Sequence, residues 1–145
     1  KPDEFRGFCT YYDAIMETEC GLTKAELEMI VVATSAQNNC LYCVVSHGAV
    51  LRIRAKDPVL SDQLAINFKK SKVSKKQMAM LNFAVKVAKE SDHINDEDFK
   101  ILQDHGFDIE DAWRIASVAS FFAMSNRLAN TFSMLPNTEF YNMGR

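Results

Sequence analysis

Five glycines and three prolines are all the punctuation in 145 residues, and nowhere do β-branched residues alternate with polar ones long enough to make a strand. A chain with so few breakers and no sheet period is expected to be all-α, a compact bundle of about six helices. The expected helix boundaries follow from local chemistry. Thr23, with Glu26 three residues on, is a capping-box signature opening a helix through Leu27, Ile30, Val31 and Ala36 that stops at Asn38-Asn39. A second helix runs from about Cys40 through His47 to about Arg54, and Asp57-Pro58 ends it. A third covers about Val59 to Phe68. Ser74 and Gln77 box the start of a helix carrying Met78, Leu81, Val85 and Ala88. Asn95 caps a short helix that closes at Gly106, a natural residue for the position just past a helix end. Asp108 opens the longest stretch, about Ile109 to Phe132, with Ala112, Ile115, Ala119, Phe122 and Leu128 as its apolar stripe.

The length accommodates one helical domain, residues 1–145, with a core of its own. Residues 1–20 include Phe5, Phe8, Tyr11, Tyr12 and Ile15 at near-helical spacing, a segment expected to pack on the core or on a neighbouring subunit. Five lysines between Lys69 and Lys76 read as a solvated helix junction. Seventeen basic against nineteen acidic residues give a net charge of -2, so no global field recruits nucleic acid or an anionic membrane surface. No apolar run approaches the roughly 18 residues of a membrane span, and Lys1-Pro2-Asp3-Glu4 does not read as a signal peptide. The first residue is not Met, which leaves an upstream leader open. Four cysteines are few for a secreted disulfide scaffold, so a reducing intracellular compartment, the cytoplasm, is expected. There a Cys-x-x-Cys pair serves metal binding or redox chemistry more readily than a permanent crosslink.

Cys40, Cys43 and His47 stand at i, i+3 and i+7 of one expected helix, within about 60° of arc at about 100° per residue. Both thiols fall in the first turn, where unpaired N–H groups and the helix dipole favour thiolate. His47 follows Cys43 by four residues, placed to take its proton directly or through a water. Glu28 lies on the preceding helix. If the chain reverses at Asn38-Asn39, Glu28 and His47 differ in height by roughly 4–5 Å at about 1.5 Å per residue. Ala25, Val31 and Val32 flank Glu28, making it a carboxylate on a largely apolar surface, suited to passing protons near neutral pH.

Blander readings compete with this one. The Cys-x-x-Cys could be half a zinc site completed by His47, Cys9 or Cys20, yet no second Cys pair or His pair supplies the usual other half. A c-type haem attachment needs His directly after the second cysteine, where Val44 stands, and a thioredoxin-like motif needs a preceding strand rather than a capped helix. Two buried structural thiols with an unrelated histidine, and Glu28 as a solvated helix-flank residue, complete the set.

The spacing Glu28, eleven residues, Cys40, two residues, Cys43, three residues, His47 resembles the signature of alkyl hydroperoxidase D and its carboxymuconolactone decarboxylase-like relatives. Ser125-Asn126-Arg127-Leu128-Ala129 resembles the Asn-Arg-x-Ala feature of the uncharacterised peroxidase-related subgroup. The resemblance spans about Gly21 to the C-terminus and takes nothing from the first twenty residues. It implies Glu28, Cys40, Cys43 and His47 as catalytic residues, with Cys43 attacking peroxide, Cys40 resolving, and His47 with Glu28 as the proton relay. Helix-dipole reasoning alone favours Cys40 as the more acidic thiol, whereas proximity to His47 favours Cys43. One departure is Tyr42, where alkyl hydroperoxidase D carries a second histidine; a phenol is a poor base near neutral pH.

The implied chemistry is reduction of hydrogen peroxide or organic hydroperoxides through a dithiol/disulfide cycle. It requires no metal and no organic cofactor, and it needs an external dithiol or thioredoxin-like reductant. A non-enzymatic redox sensor or scaffold and a cofactor-free lyase like carboxymuconolactone decarboxylase are the alternatives; the lyase needs no cysteine pair. Trp113, Phe121, Phe122 and the aromatic first segment exceed what a bundle of this size readily hides, and the family is oligomeric, so a homo-oligomer is expected.

Overall fold

A computed structural model describes residues 1–145 as seven α-helices without a strand: α1 Pro2–Met16, α2 Lys24–Gln37, α3 Leu41–Ala55, α4 Leu60–Asn67, α5 Lys75–Glu90, α6 Asp96–Asp104 and α7 Ile109–Thr131. Short 3₁₀ turns follow at Phe68–Lys70, Ser91–His93 and Thr138–Tyr141. The seventh α-helix is α1, the aromatic segment before Gly21. The expected caps form. Thr23/Glu26, Ser74/Gln77, Asn95/Asp98 and Asp108/Asp111 each exchange both hydrogen bonds of a capping box, so four helix starts are set by side chains adjacent in sequence. Gly106, at φ +82°, provides the left-handed residue after α6.

Helix α2 explains the architecture. Met29 to Ala33 are apolar on every side, and a helix without a polar face has to be surrounded. Every residue from Glu26 to Ser35 is buried, and α3, α4, α5 and α7 pack around it. The core that results contains Leu27, Ile30, Leu51, Leu64, Met80, Leu81, Ile115 and Phe122. Glu28 is carried into this core by the helix it belongs to, with no exposure at all.

Helix α1 lies on α7, where Phe8, Tyr11 and Tyr12 meet Phe121 at ring separations of 4.5, 5.6 and 6.2 Å. This contact corrects one expectation. Phe121 and Phe122 are buried within the chain itself, 3% and 2% exposed, while Trp113 stays 73% exposed. At the other end of the molecule the buried Arg52 of α3 donates to the carbonyls of Phe140 and Met143 and to Ser61 Oγ, fixing the last turn against α3 and α4. No helix is long and apolar enough to cross a membrane.

Candidate active site

Three residues, Asn38 to Cys40, connect α2 to α3. The reversal is made at Asn39, whose φ of +50° is a conformation that asparagine tolerates better than most residues. Cys40 is extended and acts as the N-cap of α3, its sulfur accepting the Cys43 N–H at 3.5 Å. The helix therefore begins at Leu41 with Cys40 as its cap, in keeping with the expected start at about Cys40. The physical reason is that the Cys40 sulfur takes a free backbone donor, the task usually given to a Ser or Asp oxygen.

Glu28 and His47 arrive at one level, as the short connection requires, and Glu28 Oε2 lies 2.7 Å from His47 Nδ1. Their side chains are 1% and 15% exposed, so the pair sits just beneath the surface. Phe122 presses edge-on against the imidazole with centroids 4.7 Å apart, and Tyr12 of α1 covers it at 6.5 Å. The surroundings of Glu28 are less apolar than its flanking residues imply. Arg54 Nη1 stands 3.4 Å from Glu28 Oε1, and Arg54 Nη2 reaches Glu17 Oε1 at 3.2 Å. Glu17 also meets Lys24 at 3.3 Å, giving a charged chain from the core to the surface. Within it the alignment is poor: neither Glu28 Oε1 nor Arg54 Nη1 makes a hydrogen bond. Arg54 was missed by motif reasoning, although it lies seven residues beyond His47 and so continues the stripe of Cys40, Cys43 and His47 along α3.

All four cysteines are free thiols, and Cys40 and Cys43 are each 1% exposed. Burial and the neighbouring Cys40 push the Cys43 thiol up to about 12, while hydrogen bonding from Asn126 and Ser125 acts in the opposite direction. The Cys43 proton is thus in place at pH 7, and a reaction there needs a base as it proceeds. His47 makes no hydrogen bond to either sulfur in this state; Glu28 is its one side-chain partner. Burial and then Glu28 push the Tyr12 phenol up to about 12, so it remains neutral beside the pair. Tyr42, in the position of the family's extra histidine, packs partly buried against the core.

From α7, Ser125 Oγ approaches Cys43 Sγ at 3.9 Å. The wholly buried Asn126 accepts from Asn38 Nδ2 at 3.0 Å and donates to Ser35 Oγ at 2.9 Å, tying α7 to the end of α2. Arg127 of the same segment is exposed and donates to the Ala123 carbonyl of its own helix, away from the thiols. Cys9 and Cys20 are partly buried on α1 and the loop after it. No three His, Cys, Asp or Glu side chains are grouped as metal ligands would be.

A model of the carboxymuconolactone decarboxylase family matches residues 2–58. That span includes α1, so the likeness is not confined to the part from Gly21 onward. No curated protein matches the chain. Among solved structures, it is similar to the alkylhydroperoxidase AhpD core of an uncharacterized peroxidase-related protein from Ralstonia eutropha JMP134. The two share 57% identity over 100% of this chain and 76% of the other, with a TM-score of 0.99. An uncharacterized peroxidase-related protein from Silicibacter sp. TM1040 is 38% identical over 100% of this chain and 76% of its own, with a TM-score of 0.97. A protein of unknown function from Agrobacterium tumefaciens, 19% identical over 95% of this chain and 93% of its own, shares the fold at a TM-score of 0.81. With its motif, its helix order and these likenesses in agreement, the chain belongs to the alkylhydroperoxidase AhpD-like, carboxymuconolactone decarboxylase family, among its peroxidase-related members.

Proposed function

We propose that the protein is a thiol-dependent peroxidase that reduces hydrogen peroxide or small organic hydroperoxides with Cys43 as nucleophile, Cys40 as resolving thiol and His47 with Glu28 as proton relay. The observation that carries this reading is the 2.7 Å contact between Glu28 and His47, one helical turn beyond Cys43. A carboxylate holding Nδ1 fixes the ring and leaves Nε2 as the basic nitrogen. The Cys43 sulfur attacks one peroxide oxygen as its proton passes to His47, the O–O bond breaks, and the departing oxygen takes that proton from His47 and leaves as water or an alcohol. Cys43 is then a sulfenic acid. The Cys40 thiol displaces its hydroxyl as water, forming the disulfide, and an external dithiol returns both thiols by exchange. Cysteine residues that are each 1% exposed favour a small peroxide over a bulky one.

The name of the matching family supports a second reading, a cofactor-free lyase, and a redox sensor is the third. Steady-state peroxide consumption with dithiothreitol separates them. A peroxidase turns over many times and loses turnover in Cys43→Ser, a sensor is oxidised about once, and a lyase is indifferent to peroxide. Consumption that continues unchanged in Cys43→Ser would overturn the reading. We also propose self-association through the apolar surface at the start of α7 around Ile109 and Trp113, which are 66% and 73% exposed. Sedimentation at micromolar concentration tests it, and a monomer there would rule it out.

A further inference from the structure

We propose that Ser125 is a further functional residue of this site, its hydroxyl donating to the Cys43 sulfur as the thiolate forms while the buried Asn126 holds that turn of α7 in place. This assignment rests on the peroxidase reading and goes beyond the relay. The two sulfurs occupy unequal positions. Cys40 Sγ is engaged with the backbone N–H of Cys43 at 3.5 Å, whereas Cys43 Sγ faces α7 and Ser125 Oγ at 3.9 Å. Ser125 makes no other side-chain hydrogen bond, so its hydroxyl is uncommitted. A thiol and a hydroxyl exchange roles freely, but a thiolate only accepts, and the hydroxyl must then turn its proton toward sulfur.

Asn126 fixes the turn of α7 that presents Ser125, because its amide is held at both ends. Its oxygen is held by Asn38 Nδ2 at 3.0 Å and its nitrogen donates to Ser35 Oγ at 2.9 Å, while Asn130 in turn holds the Asn38 carbonyl at 3.0 Å. In the resting dithiol the Ser125 hydroxyl already pulls the Cys43 thiol downward, although burial and Cys40 outweigh it. Once His47 removes the proton, the hydroxyl meets a full charge in a buried site, where hydrogen bonds to charged groups are at their strongest.

The test measures iodoacetamide alkylation at each cysteine, assigned by fragmentation mass spectrometry, from about pH 6 to about pH 10 in wild type, Ser125→Ala, Ser125→Thr and Asn126→Asp. Ser125→Ala should slow alkylation of Cys43 by about 10-fold at any one pH, the value of one hydrogen bond to a charged acceptor, and leave Cys40 unchanged. Ser125→Thr keeps the hydroxyl and should restore the wild-type profile. Asn126→Asp is isosteric but loses the amide donor to Ser35 that holds this turn of α7, and should slow Cys43 as well; thermal unfolding checks that it folds. Superimposable Cys43 profiles in wild type, Ser125→Ala and folded Asn126→Asp would overturn the proposal, as would an equal effect on Cys40. Because alkylation needs no peroxide turnover, a wild type that fails to consume peroxide while its Cys43 profile shifts in the variants would remove the peroxidase reading and leave the Ser125 donor standing.

Discussion

Arg52 and Arg54 leave α3 two residues apart, and their surroundings differ in kind. Arg52 is 4% exposed and each of its three nitrogens has an aligned acceptor: Met143 O at 2.8 Å, Ser61 Oγ at 3.1 Å and Phe140 O at 2.7 Å. Arg54 faces the other side, between Glu28 and Glu17, and its Nη1 is left without a hydrogen bond 3.4 Å from a Glu28 oxygen that also has none. A saturated buried cation fastens chain segments together, because removing it exposes several groups to the cost of lost partners. An ion pair that is close but misaligned contributes less to stability than a saturated one. The difference separates an anchor of the fold from the charged surroundings of the proposed relay.

Substitutions in the Glu28–His47 pair should have the largest effect and should be felt in rate more than in stability. Glu28→Gln or His47→Gln is expected to lower the peroxide-dependent rate by about 10²- to 10⁴-fold at pH 7. The double variant should lose little more than either single one, since both interrupt one path. The pH dependence has a definite sign. A thiol raised to about 12 is protonated at neutral pH, so the residual rate of these variants should climb as pH rises and hydroxide replaces the lost base. Rate profiles that coincide with wild type would show that Cys43 is activated without the pair.

Arg52→Met should produce the largest loss of stability, about 2–4 kcal/mol by thermal or urea unfolding, as three hydrogen bonds to a buried charge are removed together. Peroxide turnover per folded molecule should stay at the wild-type level. Arg54→Gln should invert that pattern, slowing turnover by about 10-fold through looser placement of Glu28 while shifting the unfolding midpoint less than Arg52→Met does. Equal destabilisation by the two substitutions would erase the distinction between the arginines. The smallest expected effect is spectroscopic. The Tyr12 phenol, raised to about 12 by burial and by Glu28, should ionise late in an ultraviolet titration, and Glu28→Gln should move that step to lower pH. A Tyr12 step unmoved by that change would place the phenol outside the field of the carboxylate.

Much of this was open to reading before any coordinates. Helix starts at Thr23, Ser74, Asn95 and Asp108 depend on side chains reaching two or three residues ahead, so local sequence specifies them. The closeness of Glu28 to His47 was also legible, because a three-residue reversal fixes the relative height of two antiparallel helices. The start of α3 at about Cys40 was legible too, although an N-cap cysteine gives a weaker signal than Ser, Thr, Asp or Asn. The fate of the aromatic residues was misjudged. Phe121 is covered by α1, a contact between residues more than a hundred positions apart that no local pattern announces.

The sequence by itself determined the helices, the face shared by Cys40, Cys43 and His47, and the level at which Glu28 meets them, because each of these depends on helix period and short connections. Only the tertiary structure decided that Glu28 is fully buried against Arg54, that Tyr12 and Phe122 enclose His47, and that Ser125 reaches Cys43 from α7. Those contacts join helices far apart along the chain, and their geometry comes from how α1, α3 and α7 close around α2, a packing solution that depends on every apolar side chain in the core at once.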